Sequence, residues 1–313
     1  MTIDILKRDL RRFRTLAFNV YDKQEALDAL IASLAFVIDN RQDRENPVRL
    51  DEDFFFPEAY RWEDEGITVE GIDRIEFTVP LMGYTADLPY NRVNIGRPNT
   101  VAVLSRLVPK LGPAFKRLQT RQIMEVFRLN PLAYDGQNFW SDAHPHPANK
   151  GTYDNIIDFP FDDPARPTEF EMQDLLHEVK ARFLRNLTIQ AEVLDAAEIT
   201  KSVLAITHND GQFSALDKVR TKSKIGDEEN ELRGSFTLLV DAKPSAGQEN
   251  YMEFVLSEPG GPRPAFLVLD QDPELDAFEN SRYNNAYVAV GMKGIHGVKP
   301  GYPHSAIQVR PAA

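Results

Sequence analysis

Asn130-Pro-Leu-Ala-Tyr134-Asp-Gly-Gln-Asn-Phe139-Trp-Ser-Asp-Ala-His144-Pro145 follows directly on the longest helical pattern of the chain, and the fold is decided at this junction. Asp135-Gly136 favours a turn, and Tyr134, Phe139 and Trp140 would anchor the loop at the foot of the helix. The helical pattern runs from about Pro98 to Leu129. Val101, Leu104, Leu107, Val108, Leu111, Phe115 and Leu118 hold the 3.6 period, and Ile123, Met124 and Phe127 continue it after a phase step. Asn94 or Asn99 is the candidate cap. Pro109 and Pro113 fall inside the pattern and each removes a backbone donor, so one kinked element or two helices in series is expected.

Working back from the helix, residues 66–95 read as an extended hairpin. Ile75, Phe77, Val79 and Leu81 alternate with polar residues as in a half-buried strand, Met82-Gly83 bends, and Tyr84 to Ile95 forms the second leg. Pro80 and Pro89 suit edge positions. Residues 1–65 read as an arm. Its helix starts at Asp22 with Glu25 three residues on, and its apolar spacing runs to Ile38. The adjacent Phe54, Phe55 and Phe56 point in different directions, so they would clamp the arm onto its own body or a neighbour. Lys7, Arg8, Arg11, Arg12 and Arg14 crowd the opening segment. That run is either a solvated face or a contact to an acidic neighbour or nucleic acid.

Beyond the junction, residues 130–167 are loop-rich. Thr168 opens a capping box with Glu171, and a helix follows to about Asn186. Ser202 to Ile206 is a buried strand, His208-Asn209-Asp210 starts a short helix, and Ser235 to Val240 is a second strand, together a βαβ-like unit. Strands at Met252 to Leu256, Ala265 to Leu269, Tyr287 to Val290 and Ala306 to Val309 complete a mixed α+β chain. The separators are Pro259 to Pro262, Asp272-Pro273 and Gly297 to Gly301.

The 313 residues suffice for two packed bodies; 42% are hydrophobic and 27% charged, a globular balance. The net charge of −12 argues against a general nucleic-acid binder. There is no cysteine, which removes disulfides, thiol nucleophiles and Cys-ligated zinc. No apolar run approaches a membrane span, and the charged opening residues do not read as a secretory signal. Phosphate loops, nucleophile elbows and His-Glu-x-x-His are missing from the sequence. The one candidate constellation is Asp142, His144 and His146 with Asp154, Asp158, Asp162 and Asp163. On a stiff surface loop these would serve a metal-dependent hydrolase. The bland alternative is that they are solvated or capping groups, and no metal or cofactor is expected.

Tyr134, Asp135, Gly136, Gln137, Asn138, Phe139, His144 and Pro145 resemble the Tyr-Asp-Gly-Gln-Asn-Phe and His-Pro pattern of the major head subunit family of Mu-type phages. The resemblance covers about a twentieth of the chain and implies the Hong Kong 97-type capsid fold. The implied bodies are an N-terminal arm (1–65), an extended loop (66–95), a peripheral domain with a spine helix (96–167), an axial domain (168–264) and returning strands (265–313). It implies a structural protein and not an enzyme: a shell subunit that joins copies of itself in hexamers and pentamers around double-stranded DNA, without sequence-specific contacts. Scaffolding, portal and decoration proteins are its implied further partners, in a virion assembled in the host cytoplasm. A nanocompartment shell of the same fold is the alternative. Contacts between copies are expected at Phe54, Phe55, Phe56, Ile75, Phe77, Val79, Tyr84, Tyr134, Phe139 and Trp140. Contacts to nucleic acid or a partner are expected at Arg8, Arg11, Arg12 and Arg14.

Overall fold

The computed structural model describes residues 2–41, 48–53, 74–94, 97, 99–145, 152–188, 203–241, 243–257, 262–278 and 287–312. The opening segment is a 20-residue helix, α1 (Thr2–Tyr21), followed by α2 (Glu25–Leu34) and then a strand, β1 (Ala35–Asp39). Asp22 is therefore not the N-cap expected of it. Gln24 holds that position without a side-chain cap bond, and its amide instead donates to the Val20 carbonyl at 2.9 Å. The helix also stops before Ile38. Phe36-Val37-Ile38 is a β-favouring run, and pairing with a later strand overrides the helical spacing. The arm is not loose in this part: Phe13 and Ala17 are fully buried against the chain's own body.

The extended hairpin is made differently from the expected one. β2 (Val48–Asp53) pairs antiparallel with β3 (Arg74–Val79), in register Val48 with Val79 and Asp53 with Arg74. The second expected leg is β4 (Met82–Asn91), which turns away into a four-stranded sheet. A hairpin of 66–95 is thus corrected to a ribbon of 48–53 and 74–79.

The long helical pattern resolves into α3 (Thr100–Leu107), a 3-10 turn at Val108–Lys110, and α4 (Leu111–Leu129). Pro109 lies in the turn. Pro113 lies in the first turn of α4, where its missing N–H has no intrahelical partner to lose. Two helices in series follow directly.

Residues 130–167, expected as loop, contain a two-residue ladder, β5 (His144–Pro145) with β6 (Thr152–Tyr153), and the strand β7 (Ile156–Phe159). The Thr168–Glu171 capping box forms: the Thr168 hydroxyl accepts from the Glu171 N–H at 3.2 Å, and the Glu171 carboxylate accepts from the Thr168 N–H at 2.7 Å. It starts α5 (Glu169–Thr188). β8 (Val203–Thr207), α6 (Asp210–Thr221), capped by the Asn209 side chain, and β11 (Phe236–Val240) form the expected parallel βαβ unit. Between α6 and β11 lies a small ladder of β9 (Lys224–Ile225) and β10 (Glu228–Glu229). β12 (Met252–Leu256) and β15 (Ala306–Pro311) complete a five-stranded sheet of order β11-β8-β12-β15-β7.

β13 (Ala265–Phe278) and β14 (Tyr287–Pro300) are each 14 residues long, much longer than the sequence suggests. Asp272-Pro273 does not end β13, because irregularities between Leu269 and Glu274 absorb the proline. Glycines inside β14 serve close contacts: a Cβ on Gly297 would lie 2.5 Å from the Pro80 carbonyl oxygen. The second sheet runs β1-β13-β14-β4.

Both faces of the five-stranded sheet are buried. Val203 and Ala205, with Met252, Phe254 and Leu256, face α5 and α6, while Leu204, Ile206 and Val255 face α4, α2 and the aromatics of the post-helix loop. The first half of α4, with α1 and α3, covers the four-stranded sheet through Phe115, Leu104 and Phe13. α4 thereby spans both sheets. Among the described residues, no helix is long and apolar enough to cross a membrane.

Candidate assembly surfaces

α4 ends at Asn130, which adopts φ 47° and ψ 53°. Asparagine tolerates this left-handed geometry better than most residues. Its side chain then grips the loop: the carboxamide oxygen accepts from the Trp140 N–H at 2.6 Å, and its nitrogen donates to the Trp140 carbonyl at 3.3 Å. The Trp140 indole N–H donates to the Phe127 carbonyl at 2.9 Å, and the Ser245 hydroxyl donates to the Arg128 carbonyl at 3.2 Å. Both are last-turn carbonyls that the helix itself leaves open. Gly136 takes φ +80°, as the Asp-Gly turn requires. Asp135 uses one carboxylate oxygen for the Gln137 N–H and the other for His144 Nδ1 at 2.6 Å. His144 Nε2 lies 3.1 Å from the Phe139 carbonyl, which also accepts from Asn155 at 2.7 Å. The loop is thus a rigid joint between α4 and the five-stranded sheet.

A second joint is electrostatic. Arg128, one residue before the end of α4, grips the Asp241 carboxylate at the end of β11 with contacts of 2.6 and 3.0 Å. His208, just after β8, meets the Asp241 carbonyl at 3.1 Å through Nδ1 and the Glu253 carboxylate of β12 at 2.9 Å through Nε2. His208 and Glu253 side chains are each 3% exposed. Burial pulls the His208 pKa down, but Glu253 and Asp241 outweigh it and the net shift is upward. The sequence reading made His208 a helix-entry residue and missed this relay. The available signal was Glu253, a lone carboxylate inside the apolar strand Met252–Leu256, since a buried charge needs a partner.

The residues expected at contacts between copies separate into distinct groups. Phe54, Phe55 and Phe56 lie outside the described residues, as does His146. Ile75 and Phe77 belong to β3, described by its backbone course alone. Val79, Phe139 and Trp140 correct the expectation: they are buried in this chain, Val79 against Val268 and the two aromatics in the core beneath α4. Trp140 is consumed by capping the open helix end, and Phe139 packs against Trp140 and Phe127. Tyr84 is half-buried and stacks on His296 at 4.3 Å between ring centroids. Tyr134 is half-buried and meets Tyr302 edge-on at 6.3 Å. Arg11, Arg12 and Arg14 are exposed on α1, and Arg8 lies in its first half, described by backbone alone.

Among the described residues, the candidate metal constellation does not come together either. His144 is buried rather than on a surface loop, with both ring nitrogens engaged and its ring stacked on Tyr153. Asp154 pairs with Arg182 and accepts from the Ile156 N–H at 2.6 Å. Among the described residues no group of three or more His, Cys, Asp and Glu side chains could hold a metal ion.

Apolar side chains that stay outside gather at element ends. Leu129 and Leu132, 71% and 64% exposed, flank the Asn130 cap; Phe36 and Val37 are exposed on the edge strand β1; Met82 and Val93 bracket β4. The ribbon of β2 and β3 pairs with no third strand among the described residues. A two-stranded ribbon is marginal in water without further packing.

No family model matches the chain, and no curated protein matches it. Solved structures do. The capsid of the cyanophage P-SCSP1u has a TM-score of 0.55 at 8% identity, covering 90% of this chain and 87% of that one. The mature capsid of bacteriophage PhiM1 has 0.54 at 11%, covering 89% and 86%. The capsid of a native GTA particle has 0.50 at 10%, covering 91% and 90%. At such identities the likeness is one of fold, and the fold is the α+β Hong Kong 97-type capsid fold.

Proposed function

We propose that this chain is the major capsid protein of a tailed double-stranded DNA phage, which joins hexamers and pentamers of itself into an icosahedral head around the genome. The observation that carries the reading is the match, across about nine-tenths of both chains, to subunits of phage capsids. The unfinished β2–β3 ribbon and the exposed apolar residues at element ends support it, because a second copy can cover what one copy leaves open. The role is structural rather than enzymatic.

In this reading α3 and α4 form the spine of a peripheral domain (96–167), and residues 168–264 form the axial domain, which borrows β7 and β15 for its sheet. The extended loop is the ribbon that begins at Val48, and it lies across a neighbouring subunit. The arm is then shortened from 1–65 to the residues before Val48, and residues 265–313 return through both sheets. The Tyr134–Pro145 pattern supports a place near the major head subunits of Mu-type phages. Scaffolding, portal and decoration proteins complete the partners, assembly takes place in the host cytoplasm, and the DNA is held without sequence-specific contacts.

Negative-stain microscopy of the expressed chain tests this. Closed, uniform shells are expected at high concentration, and DNA rather than a cargo enzyme inside particles formed during infection. A monomer that stays dispersed at high concentration under every assembly condition refutes it.

A further inference from the structure

Between the second half of α1 and the irregular centre of β13 lies an open notch of about 390 Å3. Phe18 and Tyr21 form its aromatic floor, Asp22, Asp272 and Glu274 its rim, and Arg14 one end. Asp272 is held by Arg41 at 2.5 Å. Among the described residues no ion pair holds Asp22 or Glu274, both exposed. The Arg14 guanidinium donates to the Leu275 carbonyl at 3.4 Å rather than to the rim. Burial, reinforced by the charges of Asp28, Asp272 and Asp22, pushes the Tyr21 hydroxyl up to about 12, so Tyr21 stays neutral and offers an uncharged ring to the notch. An aromatic floor with a carboxylate rim suits a guanidinium, which stacks on the ring and pairs with the rim.

The chain also carries the complement. Arg11 and Arg12 are exposed on α1 and, among the described residues, sit in no ion pair. Arg12 cannot serve its own notch. It lies ten residues before Asp22, about 15 Å along the axis, and nine residues before Tyr21, roughly half a turn away in direction; Arg11, three residues before Arg14, shares the notch's side of α1 but lies beyond its Arg14 end, about 16 Å along the axis from Asp22. A surface and its complement at different places on one molecule give a head-to-tail contact, which closes into rings where the rotation permits.

We propose that the Arg11–Arg12 face of α1 in one copy docks into the α1–β13 notch of the next, as a heterologous contact between shell subunits. This rests on the assembly reading above and names the contact. Arg11→Glu/Arg12→Glu and Asp22→Lys/Glu274→Lys are each expected to raise the concentration needed for shell formation at least tenfold, with the circular dichroism and melting of the unassembled subunit unchanged. The quadruple swap restores it, and high salt weakens the wild-type contact. Shell formation at the wild-type concentration by either reversal, or no recovery in the quadruple swap, overturns the proposal. Normal shells that lose DNA in Arg11→Glu/Arg12→Glu also overturn it, assigning the face to nucleic acid. Because the chain has no cysteine, mixing full-length Arg12→Cys and Glu274→Cys chains gives a test that does not need closed shells. Disulfide-linked dimers specific to the mixture support the contact, and their absence counts against it even if shells form.

Discussion

Replacing Arg128 with methionine keeps the aliphatic stem but removes the charge that joins α4 to the five-stranded sheet. The Arg128 and Asp241 side chains are 16% and 10% exposed, so the pair is shielded but not dry. Removing one partner of a buried pair costs about 3–5 kcal/mol, because the other charge is left uncompensated. The residual exposure lowers this to about 2–4 kcal/mol, a melting drop of roughly 3–6 °C for a chain of this size. The assay is urea unfolding of the unassembled subunit, with Asp241→Asn and the double variant completing a cycle whose coupling should exceed about 1 kcal/mol. A loss below about 0.5 kcal/mol, the level of an exposed pair, would refute the claim that the relay is a structural joint. The relay also sets a pH signature. The His208 pKa is raised in the fold, so its contribution is fully present below the unfolded value near 6.5 and is lost as pH rises through the folded value. Wild type should therefore lose stability as pH rises above about 6.5, and His208→Gln should lose that slope.

His296 predicts the opposite slope: burial holds its pKa down at about 4, so stability is lost as pH falls from about 6.5 toward 4, and His296→Gln should flatten the melting profile over that window. At the end of α4, Asn130→Ala should destabilise more than Asn130→Gly in chemical denaturation, by about 1 kcal/mol, because both lose the clamp on Trp140 and only alanine resists positive φ. Trp140→Phe should cost about 1–3 kcal/mol, since the Phe127 carbonyl then loses its donor while buried. Gly297→Ala should lower the melting temperature of the subunit and its soluble yield, because the new methyl meets the Pro80 carbonyl, which is backbone and yields little.

Sequence patterns revealed the elements whose signals are local. The 168–171 capping box, the βαβ unit and a break in the long helical pattern near Pro109 and Pro113 each depend on residues within a few positions of one another; the first two form as read, and the break falls at the Val108–Lys110 turn, a place the pattern left open. Pairing was harder to read. Nothing in Tyr84 to Asn91 says that its partner is residues 287–294 rather than 74–79, because alternation specifies a strand and not its neighbour. β13 ran past Asp272-Pro273 for the same reason: a proline ends a strand only where its N–H is needed. At the post-helix loop, the turn and the aromatic anchor were legible, but not which aromatics would remain outside. Trp140 went to the helix end, a demand set by α4's open carbonyls, and Phe139 packs edge-on against Phe127 beside it. The relay was invisible as a set, since its members are spread from Arg128 to Glu253 and meet only where three strand ends and one helix end converge.

The corrected ribbon changes how the assembly reading must be tested by deletion. Removing 70–92, the segment suggested by the expected hairpin, would take out β4, which pairs with β14 over ten residues, and would unfold the subunit. The ribbon alone can be removed cleanly, because Val48 and Val79 face each other across its base. Replacing residues 49–78 with Asn-Gly, a dipeptide suited to a two-residue hairpin turn, keeps Val79 in its place against Val268 and shortens the ribbon to a stub. Two strands that pair with no third strand among the described residues contribute little to the fold of one copy, so the stability of the unassembled subunit should change by no more than about 1 kcal/mol. Shell formation should be lost, because what the ribbon would cover belongs to a neighbour. Shells forming at the wild-type concentration would show that the ribbon is decoration and that the copies are held elsewhere.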